Sequence, residues 1–200
     1  MSNIVKEFES RIMLTETEYL NIVSCYLKMF PNASFLQNTN IYFDSDNLFL
    51  RSNHITLRAR IINGASSELT LKIKGQNGDD EINDLLTKKE LDNLIRYNAF
   101  PEGSVKQYLL SLSYPLSSYH SITTLNNRRL EIKQDNHLLV IDKNSYSDII
   151  DYNLEIEVND NIKTAYKLLE MYIDKFNLSL SKEKYQGKAT RAFKAALKIN

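Results

Sequence analysis

Glu7 and Glu9 stand two residues apart in the run Glu7-Phe8-Glu9-Ser10-Arg11. Alternate side chains of an extended strand share a face, so both carboxylates and the Arg11 guanidinium fall on one side and Phe8 on the other. Paired carboxylates on a polar face suit a hard divalent cation that takes oxygen ligands, such as Mg²⁺ or Mn²⁺. The same parity returns along the chain. Arg58 and Arg60 oppose Leu57 and Ile61, and Lys72 and Lys74 oppose Leu69, Leu71 and Ile73. Arg129 and Glu131 oppose Leu130 and Ile132, while Glu155 and Glu157 oppose Leu154, Ile156 and Val158. An ordinary antiparallel sheet turns mixed polar residues to water. Here basic residues gather on some strands and paired glutamates on others, as a site for a polyanion and its metal ions would need. Arg128 and Arg129 are adjacent, so only one can share that face; parity with Glu131 selects Arg129.

The elements that must carry these residues follow from periodicity. Strands are expected near 3–12, 37–44, 47–51, 54–62, 67–75, 119–125, 127–134, 137–143 and 152–159. Gly75–Asp80 reads as a polar loop. Capping-box pairs, Thr15 with Glu18 and Thr87 with Glu90, open two helices that run to about Phe30 and Asn98. Further helices are expected over Ser104–Leu112, Ile162–Phe176 and Lys184–Leu197. The fold class is α+β with a largely antiparallel sheet. Either the sheet is open with its polar side wet, or it closes into a barrel with a polar interior. Closure inverts the usual small barrel, but it gives the outward aliphatic faces and the amphipathic helices something to cover, and is favoured here.

Composition bounds the partners. The 200 residues form one domain, 1–200, with 25 basic and 25 acidic residues and no net charge. That balance argues against bulk attraction to nucleic acid or membrane. The single cysteine, Cys25, excludes an intrachain disulfide, and neither a signal peptide nor a membrane-length apolar run is present, so the expected address is the cytoplasm. His54, His120 and His137 follow no zinc-ligand spacing. The tyrosines read mostly as packing residues, Tyr42 included, and no base-recognition pocket is announced.

The ordered motifs resemble those of the CYTH superfamily, the triphosphate tunnel metalloenzymes. The matching elements are Glu7-x-Glu9-x-Arg11, Tyr42-Phe43-Asp44, Leu57-Arg58-x-Arg60, Thr70-x-Lys72-x-Lys74, Arg129, Asp142-Lys143 and Glu155-x-Glu157. The resemblance is closest to the small stand-alone bacterial members often labelled adenylate cyclases. It implies an eight-stranded antiparallel tunnel that hydrolyses triphosphates with Mg²⁺ or Mn²⁺, water attacking the terminal phosphorus. It further implies metal ligation by Glu7, Glu9, Asp142, Glu155 and Glu157, with Glu157, Asp142 and Arg11 in catalysis. Phosphate would be held by Arg11, Arg58, Arg60, Lys72, Lys74, Arg129 and a C-terminal lysine. Lys182, Lys184 and Lys188 compete for that last role; Lys188-x-x-Arg191 matches the bacterial relatives' ending, which puts Lys188 first and makes Arg191 a rim contact. Lys143 reads equally as a solvated strand residue. One departure stands out: Arg11 replaces the family's usual lysine, and a planar guanidinium does not deprotonate at useful pH. The alternatives are an adenylate cyclase using the same clamp and a non-catalytic polyphosphate or nucleotide sensor. The expected partner is a small-molecule triphosphate, with no nucleic acid and no membrane, the chain being a monomer or homodimer.

Overall fold

The computed structural model describes residues 5–75, 78–180 and 185–199, with residues 5–7 described by backbone alone. Among these, eight strands form one antiparallel sheet: β1 (Val5–Leu14), β2 (Phe35–Asp44), β3 (Ile55–Ile62), β4 (Ser66–Ile73), β5 (Asp79–Leu86), β6 (His120–Lys133), β7 (Leu138–Tyr146) and β8 (Ile149–Val158). Their hydrogen-bonded order is β1-β5-β4-β3-β2-β6-β7-β8, with β1 bridging the two ends. The bridge is a splice: Val5, Lys6 and Glu7 pair with β5, whereas Phe8–Leu14 pair with β8. Among the described residues no β1 residue pairs on both sides, so the sheet curls round without a continuous seam. The expected closed barrel is thus a curled sheet whose wall is interrupted beside β1.

The outward face carries the aliphatic residues that the alternation assigns to it. α1 (Glu16–Met29) and α5 (Ile162–Phe176) cover one side, where Ile22, Tyr26, Ala165 and Leu169 meet Ile12, Leu130, Ile141, Leu154 and Ile156. α3 (Lys88–Tyr97) and α4 (Ser104–Ser111) cover the other, where Leu94, Val105 and Leu109 meet Leu57, Leu69, Leu71 and Ile82. Burying such side chains stabilises by roughly 1.5–3 kcal/mol each. Both capping boxes form, Thr15 with Glu18 and Thr87 with Glu90. No helix is long and apolar enough to cross a membrane among the described residues.

Several elements differ from the sequence expectation. Residues 47–51, read as a strand from their apolar run, contribute to α2 (Phe49–Ser52). The cause is the buried Asp44: its Oδ1 accepts from the Leu50 N–H at 2.9 Å and its Oδ2 from the Arg51 N–H at 3.0 Å, satisfying donors that a helix start leaves unpaired. The two strands expected over 119–134 are the single β6. Residues 79–80, read as the end of a polar loop, and residues 81–86, to which the pattern assigns no element, form β5, whose outward Ile82 and Leu86 are too few to advertise a strand. The last helix, α6 (Lys188–Leu197), starts later than expected and departs most from the outer-helix picture. Its Ala192 and Phe193 pack on Tyr42, Leu125 and Tyr146, which the register places on the inward face. Thus α6 occupies part of the interior.

Asp44→Ala would leave buried amide donors unmatched. We expect a loss of about 1–3 kcal/mol per unsatisfied group at most, read as a lower midpoint in urea denaturation monitored by circular dichroism.

Candidate active site

The register gathers the charged strand faces around one space. Glu9 lies opposite Glu157 and Arg11 opposite Glu155. Arg58 lies opposite Thr70 and Tyr42, and Thr56 opposite Lys72. Arg129 lies opposite Asp142. These strands and the first turns of α6 enclose a cavity of about 900 Å³. It is lined by the predicted Glu9, Arg11, Arg58, Arg60, Lys72, Lys74, Arg129, Glu155, Glu157 and Lys188. The Glu7 side chain, Lys182 and Lys184 lie outside the described residues.

One wall is basic and short of partners. Among the described residues, the Nε of Arg58 and the Oγ1 of Thr70 are buried without a hydrogen-bond partner. Arg60 donates to Asn40 Oδ1 at 3.0 Å and approaches Glu68 at 3.4 Å. Burial, with the like charges of Arg58 and Arg129, still lowers its pKa to about 10. Half-buried, mutually repelling guanidiniums beside the orphaned Arg58 N–H and Thr70 hydroxyl make an anion-binding surface, since an anion would satisfy both.

The opposite wall is acidic. Glu9, Glu155 and Glu157 each offer a carboxylate oxygen within 4.8 Å of the others, an all-oxygen set that fits a hard divalent cation. Cationic side chains of this chain interleave with them. Glu9 pairs with Arg11, and with Lys72 at 3.1 Å. Lys188 reaches Glu155 at 2.8 Å and Asp142 at 2.7 Å. Burial opposes the Glu155 charge, yet the Lys188 ammonium and the Arg11 guanidinium outweigh it and hold the carboxyl below its usual range.

Asp142 is not brought to that triad. It is fully buried in the wall, off the cavity lining, and Arg129 grips it in a fork, Nε to Oδ1 at 2.9 Å and Nη2 to Oδ2 at 3.0 Å. With Lys188 on the same carboxylate, Asp142 holds cations rather than facing a ligand. Arg191 is likewise engaged in the wall, donating to Asp151 at 2.7 and 3.0 Å and fixing α6 in place. Arg128 lies 3.7 Å over the Phe35 ring and Lys143 5.7 Å from the Tyr152 ring, both off the cavity lining, so parity chose correctly between Arg128 and Arg129.

Sequence reasoning missed four contributors. Glu81 and Asp79 on β5 lie 3.2 and 3.7 Å from Lys72; their alternation with Asp80 and Ile82 was the available signal. Asn40 and Tyr185 also line the cavity, and Arg11 and Arg191 lie 5.2 and 5.4 Å from the Tyr185 ring. Neither residue carries a sequence pattern that marks it.

The family model described as "CYTH domain" matches residues 6–184. The Bacillus subtilis protein named "Putative triphosphatase YjbK" is 32% identical over 154 residues, covering 77% of this chain and 78% of that protein. Among solved structures, a Bacillus halodurans protein described as "a putative adenylate cyclase" has a TM-score of 0.84 at 27% identity, covering 95% of this chain and 98% of its own. The Hippeastrum protein HpAC1, described as a "putative adenylyl cyclase" with dominant triphosphatase activity, has a TM-score of 0.77 and covers 94% of this chain and 95% of its own. At 16% identity that likeness speaks for the fold.

Burial alone would raise the Asp142 pKa, but Arg129 and Lys188 outweigh it and hold the carboxyl well below the usual range. A depressed folded-state pKa contributes stability above the unfolded value, near 3.9, and loses it as pH falls from there toward the folded value. Asp142→Asn should cost roughly 3–5 kcal/mol at pH 7 by stranding buried cations. That deficit relative to wild type should shrink below about pH 4, as measured by denaturation across a pH series.

Proposed function

The chain belongs to the CYTH domain family, and on that premise we propose that it is a metal-dependent triphosphatase, acting on a small-molecule triphosphate inside the curled sheet. The observation that carries this reading is the pairing of two incomplete surfaces across one cavity. Arg58 and Thr70, each with an orphaned group, stand with Arg60 on one side and a carboxylate triad on the other. A free polyanion alone would satisfy the first surface and be repelled by the second. A polyanion arriving with a divalent cation satisfies both.

Glu9, Glu155 and Glu157 would hold Mg²⁺ or Mn²⁺, with Glu7 a further candidate, and the cation would supply positive charge against the phosphate oxygens and the leaving group. Arg58, Arg60, Arg129 and Lys72 would bind the phosphates that are not attacked, the arginines by forked contacts. Lys74 stands at the exposed rim, suited to guiding the anion in. Fixing the phosphate chain along the cavity would leave the terminal phosphorus open to water opposite its bridging oxygen. As water adds, the bridging P–O bond breaks, the electron pair leaves with the diphosphate portion, and the water proton passes to a nearby base. Glu157, partly open to the cavity, suits that role. Asp142 would act at one remove, by positioning Arg129 and Lys188. Arg11 pairs with Glu9, lies near Glu155 and stacks on Tyr185, which suits an orienting role that requires no proton transfer.

Orthophosphate release from tripolyphosphate and ATP, with Mg²⁺, Mn²⁺ or EDTA, tests this reading. We expect metal-dependent release, lost in EDTA and reduced about 100-fold or more in Glu9→Gln, whereas Arg58→Ala should chiefly raise KM about ten-fold or more. Cyclic AMP with pyrophosphate from ATP, without orthophosphate, would instead identify the cyclase, and triphosphate binding without turnover would identify the sensor.

A further inference from the structure

The wall of the cavity is interrupted where β1 leaves β5. Among the described residues, β1 beyond Glu7 pairs with β8 alone, and no backbone ladder joins Phe8–Leu14 to β5. The cavity lining there includes residues of an outer helix, Ile162 and Tyr166 of α5, together with Ser10, whose hydroxyl donates to the Ala165 carbonyl at 2.6 Å and fastens α5 to β1. Tyr166 is 57% exposed. Tyr19, Tyr26, Tyr42, Tyr119, Tyr146, Tyr152 and Tyr172 are buried, and most of their rings lie against other rings. Among the described residues no ring or cation packs on Tyr166. It is therefore an open aromatic surface beside the carboxylate cavity, backed by the partly buried Ile162.

We propose that this side opening receives the organic end of a triphosphate ester, with an aromatic ring stacked on Tyr166, so that the preferred substrate class is ring-bearing triphosphates such as nucleoside triphosphates rather than inorganic triphosphate. This rests on the triphosphate reading above. The charged interior accounts for the phosphates, while Tyr166 offers what an inorganic chain could not use. Stacking tolerates any flat ring, because every base has a π-face. Tyr166 thus separates ring-bearing from ringless substrates without specifying a particular base.

The test is isothermal titration of tripolyphosphate, ribose 5-triphosphate and ATP into the whole protein and its Tyr166→Ala and Tyr166→Phe variants, with Ca²⁺ replacing Mg²⁺ to slow turnover. The expected result is tighter binding of ATP than of ribose 5-triphosphate. Tyr166→Ala should reduce that preference roughly ten-fold, and Tyr166→Phe should retain it. Tyr166 is largely exposed, so either variant should fold. Equal shifts for ATP and ribose 5-triphosphate, or no shift for either, would overturn the stacking role while leaving the triphosphate reading intact. Failure of tripolyphosphate itself to bind would overturn that reading, and the stacking role with it.

Discussion

Opposite charges interleaved around a single interior space are the constraint on which the rest of this structure depends. At separations near 4 Å and the effective dielectric found near protein charges, a pair interacts by about 4 kcal/mol. Glu9 sits between Arg11 and Lys72, and Asp142 between Arg129 and Lys188. Glu155 is shared among Arg129, Lys188 and Arg11. Removing one member leaves its partners with fewer opposite charges. The interior therefore alternates in charge, and a ligand that brings both signs of charge preserves that alternation.

That requirement explains the architecture. A sheet with a charged inner face cannot find its hydrophobic core inside, so the core moves outward. Its alternate residues are sealed beneath α1 and α5 on one side and α3 and α4 on the other. α6 fills part of the interior from within, anchored by Arg191 on Asp151 and carrying Lys188 to the acidic wall. The same helix contributes Ala192 and Phe193 to the small apolar cluster of the inward face. Positioning and chemistry thus share one element.

Strand parity was legible because it repeats. Each of Arg58, Arg60, Lys72, Arg129, Glu155 and Glu157 alternates with aliphatic residues, and every one reaches the cavity. The capping boxes were equally readable, since a threonine and a glutamate three residues apart satisfy one another locally. What escaped depends on contacts distant in sequence or on weak patterns. α2 owes its start to the side chain of Asp44, which no apolar pattern announces. β5 alternates acids with acids before its first aliphatic residue. Asp142 shares parity with the site residues, but its burial under Arg129 is decided by cross-strand register. The inward placement of α6 follows from Tyr42, Leu125 and Tyr146 standing among charged neighbours, which an apolar residue on a polar face could have signalled.

Cation and triphosphate should bind as partners, because each offsets the charge that repels the other. The direct measurement is Mn²⁺ affinity, followed by electron paramagnetic resonance, with and without saturating tripolyphosphate, in wild type and in Glu157→Gln. The account predicts weak binding of Mn²⁺ alone and at least ten-fold tighter binding with tripolyphosphate beyond that of the anion itself in solution, the gain being lost in Glu157→Gln. By linkage, Mn²⁺ must tighten tripolyphosphate by the same factor. Mn²⁺ affinity that ignores the anion, or that survives Glu157→Gln unchanged, would contradict it.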